Sequence, residues 1–307
     1  MNDNTDVLVV GTGYLGQEVA KLATRQNAKV YATTRRPERF ESLSKSGFHP
    51  IQFDWTIPDT YGNLPLSQLS ARFRVLVSVS YDPRSPLGRF DSQVGGLRNL
   101  LRVLPPDVRL CYISTTGVYH QTDGRWVDET SPTHPDRLGG RVHLQAEQLL
   151  HALRPAAAWR ILRLAGIYGP GRVPRAADVI AGRPIGSPEN GFLNLIHVHD
   201  AARAVMAAWR RMADPLAASP VGMQSRLYVV GDDSPVVRGN FYREIAAQCG
   251  VAPPKFSPPP SDAPVSQRSR SNKRVWNRKL RRDLLSRLKF PDYRCGLADV
   301  LLPRRMS

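Results

Sequence analysis

The sequence predicts an α/β protein: a doubly wound parallel sheet of the Rossmann kind, with a smaller carboxy-terminal α/β subdomain. Three observations lead there. The apolar run Val7-Leu8-Val9-Val10 feeds directly into Gly11-Thr12-Gly13-Tyr14-Leu15-Gly16 and then into helical periodicity. Strand-like segments at 6–10, 28–33, 49–53, 74–80, 109–114 and 158–164 alternate with helix-like segments at 14–26, 37–46, 91–104 and 140–154, the order of a parallel sheet with helices on both faces. Finally, 307 residues at 41% hydrophobic content suffice for one large core or two modest ones.

The first strand and its glycines form a dinucleotide-binding fingerprint. Gly11 makes the tight turn, Gly13 lets backbone approach a pyrophosphate, and Gly16 lets the helix pack closely on the sheet. The phosphates would rest on the N-terminus of helix 14–26, where free N–H groups and the helix dipole favour negative charge. The second strand, 28–33, ends where an NAD site would place a carboxylate on the ribose 2′-OH, but the chain reads Thr33-Thr34-Arg35-Arg36. Two guanidiniums suit a 2′-phosphate, so NADP is favoured, with NAD as the alternative. The same arginines could instead simply open the solvated helix 37–46. Asp54, after the third strand, completes the expected cofactor residues.

In helix 140–154, Val142, Ala146, Leu149, Leu150 and Leu153 form one apolar stripe. Beyond Gly166 the pattern loosens through the Gly/Pro-rich stretch 166–191, a strand at 193–198, helix 200–212, a strand at 226–231 and helix 240–249. Six prolines in 253–264 argue for an extended surface segment. The expected division is a dinucleotide-binding domain over 1–165 and a substrate-covering subdomain over 166–307, with 193–231 returning to the sheet.

No apolar run reaches the roughly 18–20 residues of a membrane span, and the first residues lack a secretory pattern, so a cytoplasmic protein without membrane attachment is expected. Cys111, Cys249 and Cys295 are too scattered for a disulfide framework or a zinc cage, and Cys111 should pack inside a strand. Of the net charge of +17, ten units lie in residues 268–307, which hold thirteen Lys and Arg against three Asp. A solvated helix face, a nucleic-acid patch and a wall attracting an anionic substrate are all compatible with that tail. No recognisable nucleic-acid module accompanies it.

Beyond the glycine loop, the chain carries Ile113-Ser114-Thr115-Thr116-Gly117-Val118-Tyr119, Asp128-Glu129-Thr130-Ser131-Pro132, Arg163-Leu164-Ala165-Gly166-Ile167-Tyr168-Gly169-Pro170-Gly171 and Ile196-His197-Val198-His199-Asp200-Ala201-Ala202, and finally Asn272-Lys273-Arg274 with Leu280, Leu285, Tyr293 and Gly296-Leu297. In these motifs it resembles the extended and atypical short-chain dehydrogenase/reductases, the NAD-dependent epimerase/dehydratase group, over nearly its whole length. Extended members usually carry GxxGxxG; the shorter GxGxxG here is that of atypical members.

The resemblance implies that Thr115, at the end of the fifth strand, hydrogen-bonds a substrate carbonyl or hydroxyl. It also implies a Tyr-xxx-Lys pair on the following helix, the lysine lowering the phenol's pKa from its ordinary value near ~10. Anchoring on Glu147 places these at Gly139 and His143, and no Tyr or Lys occurs anywhere from 120 to 167. His143 could transfer protons in their stead or could merely occupy a helix face. Two other phenols, Tyr81 and Tyr168, follow strand ends, and Tyr168 fits a pocket wall better than a proton carrier.

His197 and His199 alternate as a metal pair would on a strand, yet no further ligands lie at usable spacing, so no metal is expected. Asp200 suits the N-cap of helix 200–212. The resemblance places Asn272-Lys273-Arg274 and the Leu285 region near the substrate cleft, which makes Arg274 and Arg281 the best candidates to meet an anionic substrate. Three functions remain open: an NADP-linked oxidoreductase or epimerase on a sugar-like or nucleotide-sugar substrate, possible as a homodimer; a dinucleotide-binding protein with little catalysis; and a nucleic-acid-associated protein using its basic tail.

Overall fold

The computed structural model describes residues 6–69, 73–214, 226–257 and 271–301. Its elements in chain order are β1 (Val7–Val10), α1 (Tyr14–Thr24), β2 (Val30–Thr34), α2 (Phe40–Lys45), β3 (His49–Gln52), β4 (Arg74–Val77), α3 (Gly96–Val103), β5 (Arg109–Thr115), β6 (Trp126–Val127), α4 (Leu138–Leu153), β7 (Trp159–Leu164) and β8 (Gly166–Tyr168). There follow α5 (Ala176–Ile180), β9 (Phe192–Leu193), β10 (Leu195–His197), α6 (Val198–Ala213), β11 (Leu227–Val230), β12 (Val236–Val237), α7 (Arg238–Cys249), β13 (Arg274–Val275), α8 (Arg278–Asp283) and α9 (Tyr293–Leu301).

Seven strands form the main sheet in the order β11-β7-β5-β4-β1-β2-β3, and the pairs from β3 through β5 are parallel. The order reverses between β1 and β4. In open α/β sheets, ligands bind in the crevice outside the carboxyl ends of strands at such a switch point. Helices cover the strands on both faces, which is why β1 and β7 are buried throughout; β1 reads as a continuous apolar run, whereas β7 also buries Arg160 and Arg163. Each fully buried Val or Leu there is worth about 1.5–3 kcal/mol of transfer free energy. Cys111 is fully buried within β5.

The chain forms two compact units, Met1–Val118 with Pro135–Arg163 and Ala202–Tyr228, and Tyr119–His134 with Leu164–Ala201 and Val229–Ser307. Each has its own apolar core. The first gathers Leu8, Val10, Val75, Leu97, Tyr112, Val142, Leu150 and Trp159; the second gathers Tyr168, Ile185, Leu195, Phe241, Ile245, Tyr293 and Leu297.

Several elements differ from their sequence reading for identifiable reasons. The segment 37–46 starts as a 3₁₀ turn at Pro37–Arg39 before α2 begins. The helix expected over 91–104 opens with a wide π turn at Asp91–Gly95, and a side chain at Gly96 would run into the Trp55 ring. The strand expected over 193–198 splits in two, with β9 pairing with β12 and β10 with β8, so that among the described residues of 193–231 only β11 joins the main sheet. His199 therefore lies on α6 and not on a strand beside His197. Asp200 is no N-cap either: it lies inside α6, and its buried carboxylate accepts the backbone N–H groups of Lys289 and Phe290 at 2.9 and 2.7 Å. The two-residue strands β6 and β13 pair in parallel, a contact across about 150 residues that no local pattern announces. The proline-rich 253–264 is described only as far as residue 257.

Candidate functional site

The cleft at the switch point is built by the ends of β1, β2, β3 and β4. It has a volume of about 200 Å³ and is lined by Gly11, Thr12, Gly13, Thr33 to Arg36, Arg39, Asp54 to Thr56, Ser78 to Ser80 and Asp82. Gly11 has φ +92°, and a side chain there would press on the Ser78–Val79 backbone at 2.9 Å, so only glycine makes this turn. A side chain at Gly16 would collide with the Gly11 carbonyl and lie 3.0 Å from Val9, so this glycine seats α1 on the sheet. At Gly13, by contrast, a Cβ would meet nothing within 4 Å. Leu15 and Gly16 are buried, and with Tyr14 they lie outside the cleft lining; Thr12 and Gly13 face it.

Neighbouring strands hold the loop in place. Thr33 Oγ1 accepts the Gly11 N–H at 2.9 Å, Ser78 Oγ donates to the Gly11 carbonyl at 2.8 Å, and Arg39 Nη2 donates to the Thr12 carbonyl at 2.9 Å. The last two contacts were beyond sequence reasoning, because they join residues 67 and 27 positions apart. Thr12 Oγ1 is buried without a hydrogen-bond partner, and α1 begins at Gly13 with no side-chain cap and no acidic residue in its first turn. An orphaned hydroxyl, a bare helix N-terminus and open space at Gly13 together fit a bound pyrophosphate.

The two arginines after β2 differ. Arg35 pairs with Asp82 at 3.0 Å and lies 3.9 Å from Asp54, whose Oδ1 also accepts the Thr56 N–H at 2.9 Å. Arg84 and Arg35 hold the Asp82 carboxyl well below the usual carboxylate range. Arg36 is exposed on the rim of the cleft, and no carboxylate among the described residues pairs with it.

At the end of β5, Thr115 Oγ1 accepts the Gly117 N–H at 3.0 Å, which leaves the hydroxyl proton to donate elsewhere. The start of α4 lies against this turn: a side chain at Gly140 would strike the Gly117 carbonyl. Deeper, Ser114 Oγ donates to Glu147 Oε1 at 2.5 Å, and Arg163 grips the same carboxylate with two bonds of 3.0 and 2.6 Å, all three residues being buried. Glu147 thus fastens α4 to β5 and β7. His143 Nδ1 lies 3.2 Å from the hydroxyl of Tyr112, whose phenol burial pushes far up. Burial, and secondarily the Arg89 cation, lower the imidazole to about 4, so the ring is neutral at pH 7. Tyr81 is half-buried, donates to the Leu87 carbonyl at 3.3 Å and lies under the Arg89 guanidinium at 4.7 Å.

In the second unit Tyr168 is fully buried, edge-on to His197 at 5.4 Å and to Phe241 at 6.5 Å, and its hydroxyl lies 3.5 Å from the Asp292 carbonyl. It packs as a core residue, with no exposed surface for meeting a substrate. Arg274 donates to the Gly124 carbonyl at 2.7 Å between the rings of Trp126 and Phe192. Arg281 is ion-paired with Asp233 and donates to the Ser286 carbonyl at 2.6 Å, and Lys273 is buried with Nζ 2.7 Å from Ser271 Oγ. Several cations of the basic segment are therefore committed to internal contacts. No group of three or more metal-ligating side chains, and no helix long and apolar enough to cross a membrane, occurs among the described residues.

Fold, glycine loop and switch-point cleft together define a dinucleotide-binding protein of the Rossmann class. More particularly, residues 7–219 match the NAD dependent epimerase/dehydratase family model, and the chain belongs to that family. It is 34% identical to Protein YeeZ of Escherichia coli K12 over 148 residues, which is 48% of each, so the match spans about half the length of that relative. A conserved protein of unknown function from Silicibacter pomeroyi has the same fold with a TM-score of 0.71 and 29% identity, over 95% of this chain and 96% of the other. UDP-glucuronic acid 4-epimerase from Bacillus cereus, solved with UDP-glucuronic acid and NAD, superposes with a TM-score of 0.73 over 96% and 97% of the chains, and at 18% identity this likeness is one of fold.

Proposed function

We propose that this chain is an NADP(H)-linked oxidoreductase or epimerase acting on a sugar-like or nucleotide-sugar substrate. The observation that carries the reading is the pairing, in one unit, of a pyrophosphate cradle at Gly11–Gly13 with a hydroxyl donor, Thr115, at the end of β5, two strands away from β1 in the same sheet. The bound nicotinamide would supply hydride chemistry. Thr12, Gly13 and the start of α1 would hold its phosphates, and Thr115 would donate to a substrate oxygen. The nucleotide-sugar assignment is supported by the epimerase of like fold.

Cofactor choice turns on Arg36 more than on Arg35, because Arg35 is already neutralised by Asp82 and Asp54. A 2′-phosphate needs an uncommitted guanidinium. Fluorescence titration should give tighter binding of NADPH than of NADH, and Arg36→Ala should remove most of the difference while Arg35→Ala removes less. Equal affinities in the parent protein would rule out the NADP preference.

Turnover of a nucleotide-sugar panel should fall by ~10²–10⁴ in Thr115→Ala, the usual worth of a positioned proton-transfer or polarising group. One observation favours a second reading, a dinucleotide-binding protein with little catalysis: Gly139 and His143 stand where the resemblance would place the family pair, and the half-buried His143 imidazole is neutral. Tight NADPH binding with no turnover of any panel member would favour it.

A further inference from the structure

Arg89 stands where the missing phenol would begin. A Cβ placed on Gly139 would overlap Arg89 Nη1, so the absence of a side chain at 139 is what gives the guanidinium its place. The group is half-buried, stacked on the Tyr81 ring at 4.7 Å, and close enough to His143 to lower that ring's basicity. Gly139 adjoins Gly140, which packs on the Gly117 carbonyl in the turn capped by Thr115. The cation therefore sits beside the turn at the end of β5 that Thr115 caps.

What it lacks is an anion. Among the described residues no carboxylate pairs with Arg89 and no hydrogen bond engages its guanidinium, whereas Arg35 and Arg84, on the same side of the unit, both pair with Asp82. A half-buried guanidinium that no carboxylate neutralises remains available to an anionic ligand. Leu87 and Phe90 lie near it in sequence and Leu138 precedes Gly139, at 38%, 44% and 52% exposure. A guanidinium fork that no carboxylate occupies suits an oxyanion better than a neutral group.

We propose that Arg89 is the substrate's anion anchor: its guanidinium fork binds a carboxylate or phosphate group that the substrate carries close to the reacting carbon, in the space left by Gly139. The inference relies on the reading above for the reacting centre it serves. It adds that the substrate bears an anionic group there, held by a residue that the family pair does not supply.

Calorimetric titration of the NADPH-saturated protein with D-glucuronate, inorganic phosphate and neutral D-glucose tests this. At least one of the two anions should bind, and glucose should not. Stronger binding of glucuronate assigns a carboxylate, and stronger binding of phosphate assigns a phosphoryl group. Arg89→Gln should weaken the anion at least tenfold and Arg89→Lys by a smaller factor, because lysine keeps the charge but loses the fork. In both variants NADPH affinity should stay within about twofold and the thermal midpoint should be retained. Gly139→Ala, whose methyl displaces the guanidinium, should weaken the anion as well. The proposal is overturned if neither anion binds or if both bind Arg89→Gln as they bind the parent. Should NADPH fail to bind while Arg89-dependent anion binding persists, the cofactor reading fails and the anchor stands.

Discussion

The turn after β1 and the first three turns of α4 serve carboxyl ends of strands in one sheet, yet they are made differently. The turn works through backbone: glycines set its path, its own N–H groups are taken up by Thr33 and the Gly11 carbonyl, and what it leaves to the cleft is the Thr12 hydroxyl and the open space at Gly13. The start of α4 works through side chains gathered from four segments, with Arg89 and Tyr81 from the loop after β4, Tyr112 and Ser114 from β5, His143 and Glu147 from α4 and Arg163 from β7. Backbone requirements leave a fixed spacing in the sequence, whereas a side-chain constellation leaves only scattered residues. This is why the turn is legible along the chain while the constellation is not.

Three substitutions would break or sharpen this contrast. The largest effect is expected at Glu147. Glu147→Ala leaves the buried Arg163 guanidinium without its carboxylate and should cost about 3–5 kcal/mol in denaturant unfolding. Pairing Glu147→Leu with Arg163→Met should recover most of that loss; if the single substitution costs under about 1 kcal/mol, α4 is not fastened by this network.

At Gly13 function and stability should separate. Gly13→Leu places a side chain in open space, so the thermal midpoint of the free protein should hold, while NADPH and NADH affinities should both fall at least ~100-fold, about 2.7 kcal/mol. Retained binding would mean that the pyrophosphate does not lie over this glycine.

The smallest effect is a pH dependence at His143. Folded, the imidazole resists protonation down to about 4, whereas unfolded it titrates near its ordinary 6.5. Between those values the unfolded state binds more protons, so the stability this residue contributes is fully present above about pH 6.5 and is lost as pH falls toward 4. Discounted for partial exposure, the loss should be about 2 kcal/mol. His143→Gln should flatten that part of the stability profile, and parallel profiles for parent and variant would show that the ring is not held neutral by the fold.

The sequence by itself determined the class of fold, the glycine loop and the absence of any Tyr or Lys between 120 and 167. Those features are written in local apolar runs, glycine spacing and residue identity, and burial on both sheet faces makes a run such as β1 continuous enough to read. Only the tertiary structure decided which charges are free. Arg35 and Arg36 are adjacent and identical in type, yet Asp82, 47 residues away from Arg35, neutralises one and leaves the other on the rim. Arg281 of the basic segment is paired with Asp233, while Arg89, which no motif marks, keeps its guanidinium unpaired in the space Gly139 leaves. The physical reason is range: a turn is fixed by the few residues that form it, whereas the field at a charged group is the sum over whatever the fold brings within a few ångströms.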